Sequence, residues 1–221
     1  MKKIKIILWL LIGGVILMTA TTLTGCSFGG ETIPKNRTKE LYEFEKTFEP
    51  MFKFLEQDKK GFTGLEAYRS RVYIENGDEV KRYLVDLDIT QSDIKGDYTI
   101  KTEGNKETVP VTYSNGKLNY GSEITPLFDE EILNLVVKRD YFSSLDVKET
   151  FKSAETDMRD IIYQPENHSE LYKYLKNKYD LPKDTNCRIR LDCASGTIYG
   201  FSILMESKNK SVQIDLSIFK K

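Results

Sequence analysis

Cys26 is the residue whose neighbours most directly specify a chemistry. The chain opens Met1-Lys2-Lys3-Ile4-Lys5, runs apolar from Ile6 to Met18, and then reads Leu23-Thr24-Gly25-Cys26. A positive segment, an apolar stretch of 13 residues and small residues ahead of a cysteine make the layout of a secretory signal. The final four residues fit the bacterial lipobox, Leu-(Ala/Ser/Thr)-(Gly/Ala)-Cys. The chemistry expected there is transfer of a diacylglycerol to the Cys26 thiol and cleavage of the Gly25–Cys26 bond. An uncleaved membrane helix would need about 20 apolar residues. Gly13, Gly14 and the threonines at 19, 21, 22 and 24 shorten the apolar core to the length of a leader. Two or three acyl chains, palmitate among them, then anchor the protein stably where one would not.

The other residue types that could do chemistry point to surface or core. His168 is the only histidine, so any triad, dyad or histidine-based metal site would have to use it. It stands in Pro165-Glu166-Asn167-His168-Ser169 ahead of a helix, with Asn167 or Ser169 as the cap, and reads as an exposed loop residue. Cys187 and Cys193 lack metal or redox spacing. They alternate with Arg188, Arg190 and Asp192 along one strand, which sets the two thiols roughly 20 Å apart. A disulfide needs Cα atoms within about 7 Å, so both are expected as free, buried thiols. Asp86 and Asp88 share one strand face, as an acid–base pair would want, but the opposite face is apolar and places them in solvent. Asp129, Glu130 and Glu131 read as the acidic start of a helix. Arg188 and Arg190 could grip an anion, and cross-strand pairing explains them more simply. P-loop, EF-hand, Gly-x-Gly-x-x-Gly and Gly-x-Ser-x-Gly patterns are absent from the sequence. No catalytic residue, metal ligand or cofactor is assigned, and the chain is expected not to be an enzyme.

Composition agrees with that reading. Taking residues 1–25 and their three lysines from the chain leaves 196 residues with 30 Lys and Arg against 34 Asp and Glu, a balance of −4. Such a chain has the length of one domain and carries no basic footprint for nucleic acid. Its only tryptophan, Trp9, lies in the leader.

The elements that position these residues follow from periodicity. Residues 27–35 carry Gly, Ser and Pro and read as part of a tether over 26–38. Helical spacing of Leu41, Tyr42, Phe44, Phe48, Met51, Phe52 and Leu55 predicts a helix over 38–58, bent near Pro50. The period then falls to two. Strands are expected over 68–75, 79–90, 96–103, 108–114 and 117–120, with turns at Asn76-Gly77, Gly104-Asn105 and Asn115-Gly116. A short helix is expected over 129–138, a strand near 160–163 and an amphipathic helix over 169–179. Three closing strands span 187–193, 197–207 and 211–219. The expected fold is α+β: a single curved antiparallel sheet of two meanders with helices packed on one face, as one domain over 39–221. The aromatic face of the first helix (Tyr42, Phe44, Phe48, Phe52) fits a packed core, or the wall of an apolar cavity between sheet and helices.

Three stretches carry a family resemblance. Residues 84–89 leading to Lys95-Gly96-Asp97-Tyr98 form an apolar strand followed by a Lys-Gly-aromatic strand. Residues 109–118 hold a Pro-Val strand and the Asn115-Gly116-Lys117-Leu118 hairpin. Leu175-Lys176-Asn177-Lys178-Tyr179-Asp180-Leu181-Pro182 is the most specific of the three. Together with the lipobox, these resemble the staphylococcal tandem lipoproteins, surface lipoproteins of low-GC Gram-positive bacteria. The resemblance implies a lipid-anchored, surface-exposed domain that meets host proteins. The expectation is therefore a non-enzymatic lipoprotein on the extracytoplasmic face of the cell membrane. It would be held to the membrane by the lipid on Cys26 and would act through protein contacts. The alternative is a carrier or sensor of an apolar ligand.

Overall fold

The computed structural model describes residues 27–28, 31–57, 62–90, 92–121, 136–153 and 155–221. Gly25, Cys26 and the acidic run at 129–131 lie outside the described residues. The chain divides into two units between Phe44 and Glu45. In the first, β1 (Ser27–Phe28) pairs antiparallel with β2 (Glu31–Thr32). Helix α1 (Lys39–Glu45) follows, with the Thr38 hydroxyl accepting from the Leu41 N–H at 3.2 Å.

The second unit is an open antiparallel sheet of ten strands. These are β3 (Leu65–Asn76), β4 (Glu79–Ile89), β5 (Ile94–Thr102), β6 (Asn105–Ser114), β7 (Lys117–Tyr120), β8 (Asp146–Lys152), β9 (Arg159–Gln164), β10 (Asn186–Ala194), β11 (Ile198–Glu206) and β12 (Lys210–Lys220). Their order across the sheet is β7-β6-β5-β4-β3-β12-β11-β10-β9-β8. Strands β3–β7 form one meander running outward from the centre, and β8–β12 form a second running inward from the far edge. They join at the middle, where Tyr68 faces Ile218 and Val72 faces Ile214. Tight hairpins make each meander possible. At Asn115-Gly116 both residues take positive φ (51° and 81°), the backbone that matches strand twist in a two-residue turn.

Period-two alternation fixes which face is dry. On β10, Cys187, Ile189, Leu191 and Cys193 are buried while Arg188 and Arg190 are exposed. On β12, Val212, Ile214, Leu216 and Ile218 are buried. Each such side chain contributes about 1.5–3 kcal/mol against exposure, so a register slip by one residue would invert the whole face.

The expected helix over 38–58 is broken in three. After α1 comes a 3-10 turn (Lys46–Phe48) and then α2 (Glu49–Glu56). Pro50 sits in the first turn of α2, where its missing N–H leaves no bond unmade, so the chain re-enters a helix there and does not bend through one. Phe48, Met51, Phe52 and Leu55 are buried. Residues 136–138, expected to close a helix, are irregular, and α3 (Arg139–Ser144) follows them. The edge strand β8 is not legible in the sequence, because its residues, Asp146 to Lys152, are nearly all exposed and its two apolar ones, Val147 and Phe151, stand four apart among charged and polar neighbours. Helix α4 (Glu170–Lys178) is capped by Ser169, whose hydroxyl accepts from the Tyr172 N–H at 3.3 Å. Its Tyr172 and Leu175 are buried. The chain leaves α4 through Asp180 at positive φ (48°), with the Leu181 N–H bonding back to the Lys176 carbonyl.

Helical side chains meet the dry face of the sheet. Phe142 of α3 packs edge-on against Phe52 at 4.9 Å, and against Tyr163 (5.6 Å) and Phe201 (6.1 Å) of the sheet. The Tyr163 hydroxyl donates to Glu45 Oε1 at 2.8 Å inside this core. Among the described residues no helix is long and apolar enough to cross a membrane.

Candidate functional site

The residues singled out by type are placed apart from one another. His168 is exposed, with Nε2 2.6 Å from Glu166 Oε2. Asp86 pairs with Arg69 directly across on β3, on the solvent face. Arg188 meets Glu206 at 3.3 Å and Arg190 meets Asp160 at 2.9 Å, so both arginines make the cross-strand pairs expected of them. Cys187 and Cys193 are free and buried on one strand. Burial pushes the Cys187 thiol up to about 12, which removes its nucleophilic form at ordinary pH. Among the described residues no group of three or more His, Cys, Asp and Glu could hold a metal ion.

Among the described residues, Asp192 has the one carboxyl clearly displaced from its ordinary pKa. It faces Asp160 on β9 and Gly200 on β11. A Cβ at Gly200 would stand 2.5 Å from Asp192 Oδ1, so the glycine makes the room in which that carboxylate lies. Burial raises its pKa, Arg190 opposes the rise, and Asp160 and Asp215 add to it. The neighbouring carboxylate Asp215 accepts from Ser202 at 2.7 Å and from Gln213 at 3.0 Å. This polar patch is a hydrogen-bonded surface ladder, and a shallow cleft of about 290 Å³ opens beside its Asp215 and Gln213, lined also by Tyr73 and Glu75.

The more site-like arrangement is aromatic. Phe62, just ahead of β3, lies between Tyr68 of β3 and Tyr113 of β6. Its ring is stacked on the first at 4.9 Å and on the second at 4.8 Å, with interplanar angles of 15° and 17°. Phe54 of α2 closes the group at 5.9 Å from Phe62 and 5.7 Å from Tyr68. Two clefts flank the short segment Phe62-Thr63-Gly64-Leu65. One, of about 320 Å³, is also bounded by Phe54 and Ile218, with Glu49, Lys53 and Lys220 at its rim. The other, of about 470 Å³, is bounded by Ile89, Ile94 and Tyr113. The Tyr68 hydroxyl is wholly buried beside Ser70 Oγ, without the geometry of a hydrogen bond, and neither oxygen has another partner. Burial drives the Tyr68 phenol well above its ordinary pKa, so it stays protonated and can donate. Sequence reading missed this group because three of its members come from separate elements, and only Phe54 belongs to a helix whose period is visible.

No protein-family model and no curated protein matches the chain. Among solved structures, one described as the crystal structure of an N-terminal dehydratase from the difficidin assembly line aligns over 79% of this chain and 85% of its own. The identity is 9% and the TM-score 0.19, too low for any statement about fold or activity.

Proposed function

We propose that the protein is a lipid-anchored lipoprotein of a bacterial surface, non-enzymatic, acting through protein contacts of its folded domain. The anchor rests on the basic leader, the apolar run and Leu23-Thr24-Gly25-Cys26. The domain is taken as α+β, with the helices over one face of a curved sheet. The contacts of Phe142 with Tyr163 and Phe201 support that arrangement. The observation that carries the binding-module reading is the filled core. Phe48, Phe52, Phe142, Tyr163 and Phe201 are all at most 1% exposed, which supports a packed interior around Phe142, with the clefts confined to the neighbourhood of Phe54 and Phe62. That leaves the broad outer face, with Arg69, Asp86, Arg188, Arg190 and Gln213, as the surface offered to partners.

Metabolic labelling with a fatty-acid analogue tests the anchor. The native chain should carry label and sediment with membranes, and Cys26→Ala should lose both. Label retained by Cys26→Ala would refute Cys26 as the lipid site. Native mass spectrometry of the purified protein tests the other half. A tightly held apolar molecule in stoichiometric amount would favour a carrier over a contact module.

A further inference from the structure

We infer that the space between Tyr68 and Tyr113 is a binding slot for a planar aromatic anion, closed in this structure by the protein's own Phe62. The slot is one ring thick and has two nearly parallel walls, which is the geometry that selects a flat ring. Its present occupant is carried on a turn and not on a strand or helix. The Leu65 N–H bonds to the Phe62 carbonyl at 3.3 Å, and Gly64 sits at the third position with φ +81°, as a type II turn requires. Phe62, Thr63, Gly64 and Leu65 line both clefts, so this one turn is the partition between them. Movement of the turn would join the clefts and empty the slot together.

Two further features say what would enter. The Tyr68 hydroxyl and Ser70 Oγ, both fully buried, lie beside each other without well-formed hydrogen-bond geometry, and neither has any other partner. A phenyl ring offers them nothing, whereas a ligand with an acceptor at the ring edge would satisfy them. Unmade buried hydrogen bonds of this kind are uncommon in native cores and call for a cause. The first cleft also has a cationic balance. Glu49 is held by Arg139 at 2.8 Å and by Lys53 at 3.8 Å, and Lys220 stands at the same rim. Stacking faces, buried donors and a lysine rim together fit an aromatic carboxylate of one or two fused rings.

The probe is 2-naphthoate, titrated calorimetrically into the purified full chain. The native protein should bind it saturably. Phe62→Ala should bind at least tenfold more tightly, because an occupied slot taxes affinity by the fraction of molecules in which it is open. Tyr68→Phe, which removes only the buried hydroxyl, should keep the fold and weaken binding by fivefold or more. If only Phe62→Ala binds and the native chain does not, the site is a cavity made by truncation and the inference fails. It fails equally if no variant binds. Should Phe62→Ala not fold, Tyr68→Phe decides alone: weaker binding than the native chain supports the slot, and unchanged binding overturns it.

Discussion

At the scale of single residues, burial decides more than residue type. Cys187 would be a nucleophile if exposed, but it sits 1% exposed on the dry face of β10 with its thiol pushed up to about 12. The folded pKa lies above the unfolded value of 9.0, so the neutral thiol stabilises the fold fully below pH 9. That contribution is lost as pH rises from about 9 to about 12. Urea midpoints measured across this window should fall, and Cys187→Ser should flatten the part of the fall due to this group. Thiol-reagent kinetics give a second check: at pH 8 the folded chain should react far more slowly than the urea-unfolded chain.

Asp192 shows the same logic with a carboxyl. Its pKa is raised by burial and by the facing Asp160, so its charged form costs stability at neutral pH. The sign follows: its contribution is full below the unfolded value of 3.8 and is lost as pH rises through the folded one. Asp192→Asn should therefore stabilise the protein at pH 7, by about 0.2–1 kcal/mol if relief of the like-charge pair dominates. At pH 3 the difference from the native chain should shrink towards zero. A loss of stability at pH 7 would show that Arg190 outweighs the repulsion.

At the scale of elements, local signals were read correctly where an element advertises both its ends. Helix α4 has a capping serine, lysines in its last turn and a buried Tyr172–Leu175 pair, and it stands within one residue of its expected span at either end. The hairpin at Asn115-Gly116 was legible for the same reason, whereas the turn expected at Asn76-Gly77 lies one residue on, at Gly77-Asp78, because Asn76 still pairs with Glu79. The first helix was not, because Pro50 permits two continuations, a bend or a new start, and the sequence alone does not choose between them. Strand β8 hides because an edge strand with exposed Lys148, Glu149 and Lys152 has no apolar alternation to detect. Those same charges guard the edge against pairing with another chain. A direct test of element packing is Leu175→Ala. Leu175 is 0% exposed, and its truncation should cost about 2–5 kcal/mol in the urea midpoint. Lys173, exposed on the same helix, should tolerate alanine within about 0.5 kcal/mol. An unmoved midpoint for Leu175→Ala would mean that this face of α4 does not pack on the sheet.

At the scale of the whole molecule, the sequence revealed which side of each strand is dry but not which strand lies beside which. The two meanders were expected. Their junction through β3 and β12, the first and last strands of the ten, was not, because pairing over such a separation leaves no mark in local periodicity. The aromatic slot was hidden for the same reason. Phe62, Tyr68 and Tyr113 belong to a turn and two strands that touch only once the meander has closed. The proposed lipid anchor is the reverse case, a reading that rests on four adjacent residues and the leader before them and needs no fold at all. The central claim stands or falls on that segment. The decisive measurement is mass spectrometry of the N-terminal peptide of the protein isolated from membranes of the cells that make it. The account predicts a peptide that begins at Cys26 and carries a thioether-linked diacylglycerol. A peptide that retains residues 1–25, or that begins at an unmodified Cys26, would contradict it.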